Sequence, residues 1–357
     1  MLMLKDVADT MTNLNAGVFN LRRGHVAALA LAAAAIASSG HALAWGATGH
    51  RMIGVAAMST LPSDMPDFLR DPGAATKVGE LSREPDRWKG TGRVHDNERD
   101  GAHYVDLGDD GLVTGGPALT ALPATRELYD ATLRAVGTDS WKSGWLPYSI
   151  VDGWEQLAKD FAYLRVDVWA ATSDPDIGHR AWFAADLAER RQLILRDIGA
   201  LSHYVGDGSQ PLHVSVHHDS WGNFPNPENF TQGRFHATFE GAFVQGNVTQ
   251  AEVTGAVGPL GDCHCEIMKG VTAYLATTNT LVAPLYRLHQ QHGFETGDPR
   301  GRAFAIARLG AGATELRDLI ALAWRLSPNT SVGYPAATAA DIIAKGGDPF
   351  DSFYGSD

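Results

Sequence analysis

The stretch His203-Tyr204-Val205-Gly206-Asp207-Gly208-Ser209-Gln210-Pro211-Leu212-His213 decides how this chain is read. His203 and Asp207 are four residues apart, a spacing that puts both side chains on one face of a helix. Upstream, Leu187, Ile194, Ile198, Leu201 and Val205 recur at helical spacing as a separate apolar stripe, while Gly199 and Ala200 lie on the ligand-bearing side. A helix with those two stripes is buried on both faces. An imidazole and a carboxylate buried there need partners or a metal, because an unpaired buried polar group costs several kcal/mol. Pro211 then ends the helix and turns His213 back toward the pair.

Outward from this helix the pattern stays helical. Phe161, Leu164 and Val168 follow Ser149, a candidate cap, and Phe235, Phe239 and Phe243 form another stripe. Two long helical stretches are predicted near Glu266 to His289 and near Phe304 to Leu326. Period-two strands are missing, and Gly and Pro cluster in Gly108 to Pro123 and in Trp221 to Gly233, which read as long loops. The tail over 328–357 is small and polar and is expected to wrap the surface. The expectation is an all-α fold, a single large helical domain over 45–357.

At 44% hydrophobic and 20% charged residues, the chain has ample core and is neither disordered nor a coiled coil. Its net charge of −12 argues against a broad basic surface for duplex DNA, although a local basic groove survives that total. Cys263 and Cys265 are the two cysteines, so no disulfide framework holds the fold. Cys263-His264-Cys265 lacks the second ligand pair of a soft-metal site.

Leu21-Arg22-Arg23-Gly24-His25 is basic, Val26 to Ser39 is an apolar run, and His41-Ala42-Leu43-Ala44 carries an A-x-A cleavage pattern. The run is short of the roughly 20 residues that span a bilayer. A secretory signal over 1–44 is therefore expected, with an uncleaved anchor or internal helix as the alternative, and a secreted or periplasmic product beginning at Trp45.

A second spaced pair, His236 and Glu240, offers an imidazole and a carboxylate suited to zinc; the alternative is an ordinary surface pair worth a few tenths of a kcal/mol. Two such pairs with His213 between them favour metal. At the predicted new N-terminus, Trp45 precedes His50, so a free α-amine, its carbonyl and a nearby imidazole could chelate a divalent ion. Asp86 in Glu84-Pro85-Asp86-Arg87-Trp88-Lys89 and His103 in Ala102-His103-Tyr104-Val105-Asp106 are unremarkable alone.

Together these residues resemble the zinc-dependent single-strand-specific nucleases and the zinc-dependent phospholipases C, which share a helical fold. The matching positions are Trp45, His50, Asp86, His103, His203, Asp207, His213, His236 and Glu240, in the family's order and over residues 45 to about 245. The resemblance implies three zinc ions. Asp86, His103 and His203 would hold one, Trp45 and His50 its neighbour with Asp207 as the bridge, and His213, His236 and Glu240 the third. Asp86 and Asp207 are then the catalytic carboxylates. The departure is the hundred-residue gap between His103 and His203, which looks like an insertion over 104–180.

The resemblance implies a phosphodiester hydrolase. Lys89, Tyr104 and Asp106 fit substrate positions of the nuclease branch, with Tyr104 as a base-stacking aromatic on single-stranded nucleic acid. Glu240, and Phe235-His236 ahead of it, resemble the phospholipases, whose substrate is phosphatidylcholine-like lipid. Thr48 and Arg87 stand where their choline pocket would need an acid and a tyrosine. The nuclease reading is preferred, with the phospholipase as alternative and a non-catalytic secreted zinc-binding module as a third class. His217 and His218 sit beside this site in a loop. Trp141, Trp145, Trp154 and Trp169 fall in the insertion, where helix packing explains most of them.

Overall fold

A computed structural model describes residues 45–261 and 266–355. The expected signal over 1–44 and the Cys263-His264-Cys265 motif lie outside the described residues. The principal helices are α1 (Ala47–Ser59), α2 (Pro72–Leu81), α3 (Glu84–Arg87), α4 (Leu146–Ser173), α5 (Ile177–Ser209), α6 (Ile267–Asn279), α7 (Val282–Gln290) and α8 (Pro299–Leu326). The described strands are one pair of two-residue segments, so the chain is predominantly all-α. None of the described helices is long and apolar enough to cross a membrane.

The frame is a hairpin of α4 and α5, with α8, α1 and α2 packed around α5. α5 starts where the Asp176 carboxylate accepts from the Gly178 amide, a side-chain N-cap. It stops at Gln210 because Pro211 has no amide hydrogen to continue the ladder. Leu157 and Phe161 of α4, Ile198, Leu201 and Val205 of α5, Ile53 of α1 and Leu309, Leu316 and Ile320 of α8 are all fully buried. Each such side chain contributes roughly 1.5–3 kcal/mol of burial. Gly199 allows the close α2–α5 crossing: a Cβ there would lie 2.5 Å from Leu81 Cβ.

Several local expectations are corrected. α4 begins at Leu146, with Pro147 in its first turn, so Ser149 is inside the helix and not its cap. Val168 is half exposed and does not share the buried stripe of Phe161 and Leu164. The stretch near 266–289 is two helices, because Pro284 lacks an amide hydrogen and fits only the first turn of a new helix. The tail does more than wrap: Ser331–Val332 pairs with Ala337–Thr338, and Val332 and Ala339 close a small second core on Ala162 and Val166 of α4.

Residues 104–180 contain the loop after His103, the helix Arg126–Ala135 and all of α4. One arm of the central hairpin therefore comes from the stretch read as an insertion. Trp145 is buried and the Trp154 indole donates to the Leu319 carbonyl at 3.0 Å, whereas Trp141 is partly exposed.

Candidate metal centre

The last two turns of α5 and the chain beyond Pro211 bring the histidines together. His203 and Asp207 are completely buried, and His50 of α1 stacks flat on His203 with ring centroids 3.9 Å apart. That approach depends on Gly206, where a Cβ would lie 2.8 Å from His50 Nδ1. His103 comes from the turn Asp100–His103 and places Nδ1 2.9 Å from His203 Nε2 and 3.1 Å from Asp207 Oδ2. Asp86 of α3 reaches within 3.8 Å of His203 Nε2, and His50 Nε2 lies 3.4 Å from Asp207 Oδ1. On the far side, Glu240 Oε1 is 2.6 Å from His236 Nε2 and 3.3 Å from His213 Nε2.

Three groups of donor atoms follow: His50, His203 and Asp207; Asp86, His103 and His203; and His213, His236 and Glu240. Two ligands bonded to one ion at about 2.1 Å and the tetrahedral angle sit roughly 3.4 Å apart. The separations above bracket that value. His50 Nδ1 and Nε2, His103 Nε2, Asp207 Oδ1, His213 Nε2 and Glu240 Oε2 are buried without a hydrogen-bond partner. So many orphaned polar atoms in one place fit a set of cations better than a hydrogen-bonded core. The buried clusters could hold metal ions.

The rings are oriented from outside. His203 donates Nδ1–H to the Ser82 carbonyl at 2.8 Å, and His213 donates Nδ1–H to the His103 carbonyl at 2.7 Å. The neutral His203 ring presents Nε2 as a lone pair toward the cluster, the usual arrangement behind metal-binding histidines, whereas Asp207 and Glu240, although burial opposes them, pull the His213 imidazole above its ordinary range. Gln210, also fully buried, donates Nε2–H to Glu240 Oε1 at 2.7 Å and accepts from the Leu212 amide. Ser82 and Gln210 carry no ligand signal in sequence. The one cue for Gln210 is its place between Asp207 and His213.

Glu240 sits in a π-helical turn, Thr238–Phe243, and not in the regular α-helix that the i, i+4 spacing suggested. The wider turn is a common device at functional sites. It also lies against the start of the described chain, since a Cβ on Gly46 would touch Glu240 O and Gly241 Cα. Trp45 is completely buried there, with its indole donating to Ser209 Oγ at 2.8 Å.

Burial holds the His50 and His103 imidazoles well below their ordinary range, and it carries His203 down to about 4 against the pull of Asp86. These rings are neutral at pH 7, as ligands must be. Burial pushes the Asp207 carboxyl up, whereas Glu240, although burial opposes it, is brought down to about 2 by His236 and His213.

The residues expected at substrate positions divide. Lys89 places Nζ 2.6 Å from Asp86 Oδ1, at the rim of the cluster. The Tyr104 hydroxyl donates to the Trp141 carbonyl at 2.7 Å, which ties the ring to the neighbouring loop. Asp106 lies outside the three donor groups, and burial raises its carboxyl to about 8. His217 is buried in a stack on Trp221 at 3.7 Å, and burial lowers the imidazole of His218. Tyr204, passed over in sequence, sets its ring edge-on to His103 and His203.

Compared with known proteins, the chain matches no family model and no curated protein.

Proposed function

We propose that the protein is a zinc-dependent phosphodiester hydrolase with three zinc ions, acting on single-stranded nucleic acid after export. The observation that carries the reading is the position of Asp207. One fully buried carboxylate lies within 3.1–3.8 Å of four imidazoles, His103, His50, His203 and His213, with no cationic side chain hydrogen-bonded to it. A carboxylate with ligands on both sides is suited to bridging two ions, and His213, His236 and Glu240 supply a separate set next to it. Zinc, when bound, supplies Lewis-acid polarisation of the phosphate and water made acidic near neutral pH.

The chain's own groups do the rest. Asp207 and Asp86 hold negative charge at the reacting centre, and the Ser82 and His103 carbonyls keep His203 and His213 in the tautomer that leaves Nε2 free. Gln210 fixes the Glu240 carboxylate beside His213 and His236 by donating to Oε1. Lys89, beside Asp86, is placed to pair with a phosphate oxygen.

Nucleic acid is favoured over lipid by the cleft of about 260 Å³ beyond Tyr204, where the partly exposed Trp88 stands with the Arg196 guanidinium 5.2 Å over its ring. An aromatic face with a cation alongside suits a stacked base. Turnover of bis-(p-nitrophenyl) phosphate with and without chelator tests the hydrolase. The expected result is activity that a chelator abolishes and zinc restores. Single-stranded DNA, RNA and phosphatidylcholine assayed in parallel test the substrate. Cleavage of the lipid alone overturns the nucleic-acid reading, and no turnover with full zinc loading overturns the enzyme.

A further inference from the structure

At the opposite end of the central hairpin, Asp174, His179 and Asp348 bring one donor atom each to within 4.8 Å of one another. Asp174 closes α4, His179 lies in the first turn of α5, and Asp348 belongs to the C-terminal segment that folds back on both. We propose that these three residues form a divalent-cation site, separate from the histidine cluster, that pins the C-terminal segment to the α4–α5 turn.

The observation that points to a ligand is Asp174. Its side chain has no solvent exposure, Oδ1 accepts from the Asp176 amide at 2.8 Å, and the buried Oδ2 receives no hydrogen bond. Asp348 is arranged in the same way: Oδ1 accepts from the Phe350 amide at 2.8 Å, and Oδ2 faces His179 Nδ1 at 2.8 Å. Each carboxylate thus has one oxygen fixed by backbone and the other turned toward the third residue. The imidazole plane is fixed too, by a flat stack on Phe350 with centroids 3.8 Å apart.

Without an ion the trio is neutral only when His179 is protonated and Asp174, whose carboxyl burial pushes up, shares a proton with Asp348. Any loss of those protons leaves net negative charge at the turn. A divalent ion on a neutral His179 cancels both charges and gives Asp174 Oδ2 a partner. One imidazole and two carboxylates suit zinc or a neighbouring first-row ion better than calcium or magnesium, which prefer all-oxygen sets. His179 and Asp348 are about one-third exposed, so a water can complete the coordination.

The test uses the full chain, loaded with Zn²⁺ at pH 7.5 and dialysed, with metal counted by atomic emission. D348N and H179Q should each hold one zinc fewer than the unmodified protein, at unchanged turnover on bis-(p-nitrophenyl) phosphate. Zinc should also slow proteolytic cleavage after residue 330 in the unmodified protein at least tenfold more than in either variant. Equal zinc counts in all three overturn the site. So does an equal effect of zinc on cleavage in all three. The counts are differences between variants, so they hold whatever the histidine cluster binds or hydrolyses.

Discussion

Two of the buried carboxylate clusters on the α4–α5 hairpin meet different partners. Midway along, Asp160 accepts from Arg190 Nη1 at 2.9 Å and from Gln156 at 3.2 Å, and burial with Asp197 beside it lifts its carboxyl to about 6. Asp167, two turns further along α4, receives no hydrogen bond from an amide, hydroxyl or cation, and burial, with the Asp186 carboxylate beside it, pushes it up to about 8. There the chain supplies its own cation, and protonation handles what remains. At the end of α5, Asp207 has no arginine or lysine of its own and four imidazoles in reach. The difference teaches that the second cluster, with imidazoles in place of an arginine, could hold a metal ion where the first holds a guanidinium. Both helices and the burial are the same; the partner chemistry differs.

The sharpest way to break that contrast is Asp207→Asn. An amide keeps the shape but removes the bridging charge, so the variant should lose zinc and several kcal/mol of transition-state stabilisation, roughly 10³-fold in turnover. Full zinc content with undiminished turnover would remove Asp207 from the centre. The next largest effect concerns where the chain begins. A form retaining Met or a tag before Trp45 has an amide at that nitrogen, and is expected to fold, hold one zinc fewer and lose about 10²-fold in activity. Cleavage that exposes Trp45 should restore both, and equal zinc in tagged and cleaved forms takes Trp45 out of the site.

Gln210→Leu sharpens the contrast from outside the ligand set. Without its amide, Glu240 Oε1 loses a fixed donor, and zinc affinity measured by competition with a chelator should fall about 10–100-fold. An unchanged affinity would make Gln210 a packing residue. Lys89→Gln should leave the zinc count alone and lower kcat/KM for an anionic diester about tenfold, the size of one charge-assisted contact. A neutral result there would assign Lys89 to Asp86 alone.

The smallest effect belongs to the self-neutralised cluster. The folded Asp167 carboxyl at about 8 is far above the usual carboxylate range, so between those values the folded state holds a proton that the unfolded chain has lost. Stability contributed by this group is therefore present at low pH and lost as pH rises toward 8. Asp167→Asn stays neutral throughout, and its advantage over the unmodified protein in urea midpoints should grow by about 1–3 kcal/mol from pH 5 to pH 8. Metal content should not change. Parallel pH curves would place a donor on Asp167 after all.

Much of the candidate centre was legible because its histidines and acids recur at helical spacing. His203 and Asp207 lie on one helix, and the proline two residues before His213 fixes the return of the chain. The helical periods of α5 and α8 were equally plain, since their apolar stripes face a single core. Less was visible where tertiary contacts decide. Val168 fits a helical period yet faces outward, and the spacing of His236 and Glu240 did not distinguish an α-turn from a π-turn. Gln210 and Ser82 were silent, because a residue that positions a ligand through a carbonyl or an amide has no type of its own.

By itself the sequence determined the helical class, the buried face of α5 that carries His203 and Asp207, and the identity of the histidines and acids. Those depend on local periodicity and on the cost of burying an imidazole or carboxylate, both of which are written residue by residue. Only the tertiary structure decided which ligands share an atom-to-atom neighbourhood: that His50 stacks on His203, that Gly206 admits it, and that Asp348 returns to Asp174 and His179 across the fold. Those pairings join residues as far as 174 positions apart, from 174 to 348, and no local rule sets such a distance. They are fixed by the packing of α1 and the C-terminal segment on one helical hairpin, where backbone approach is limited by whether a Cβ is present.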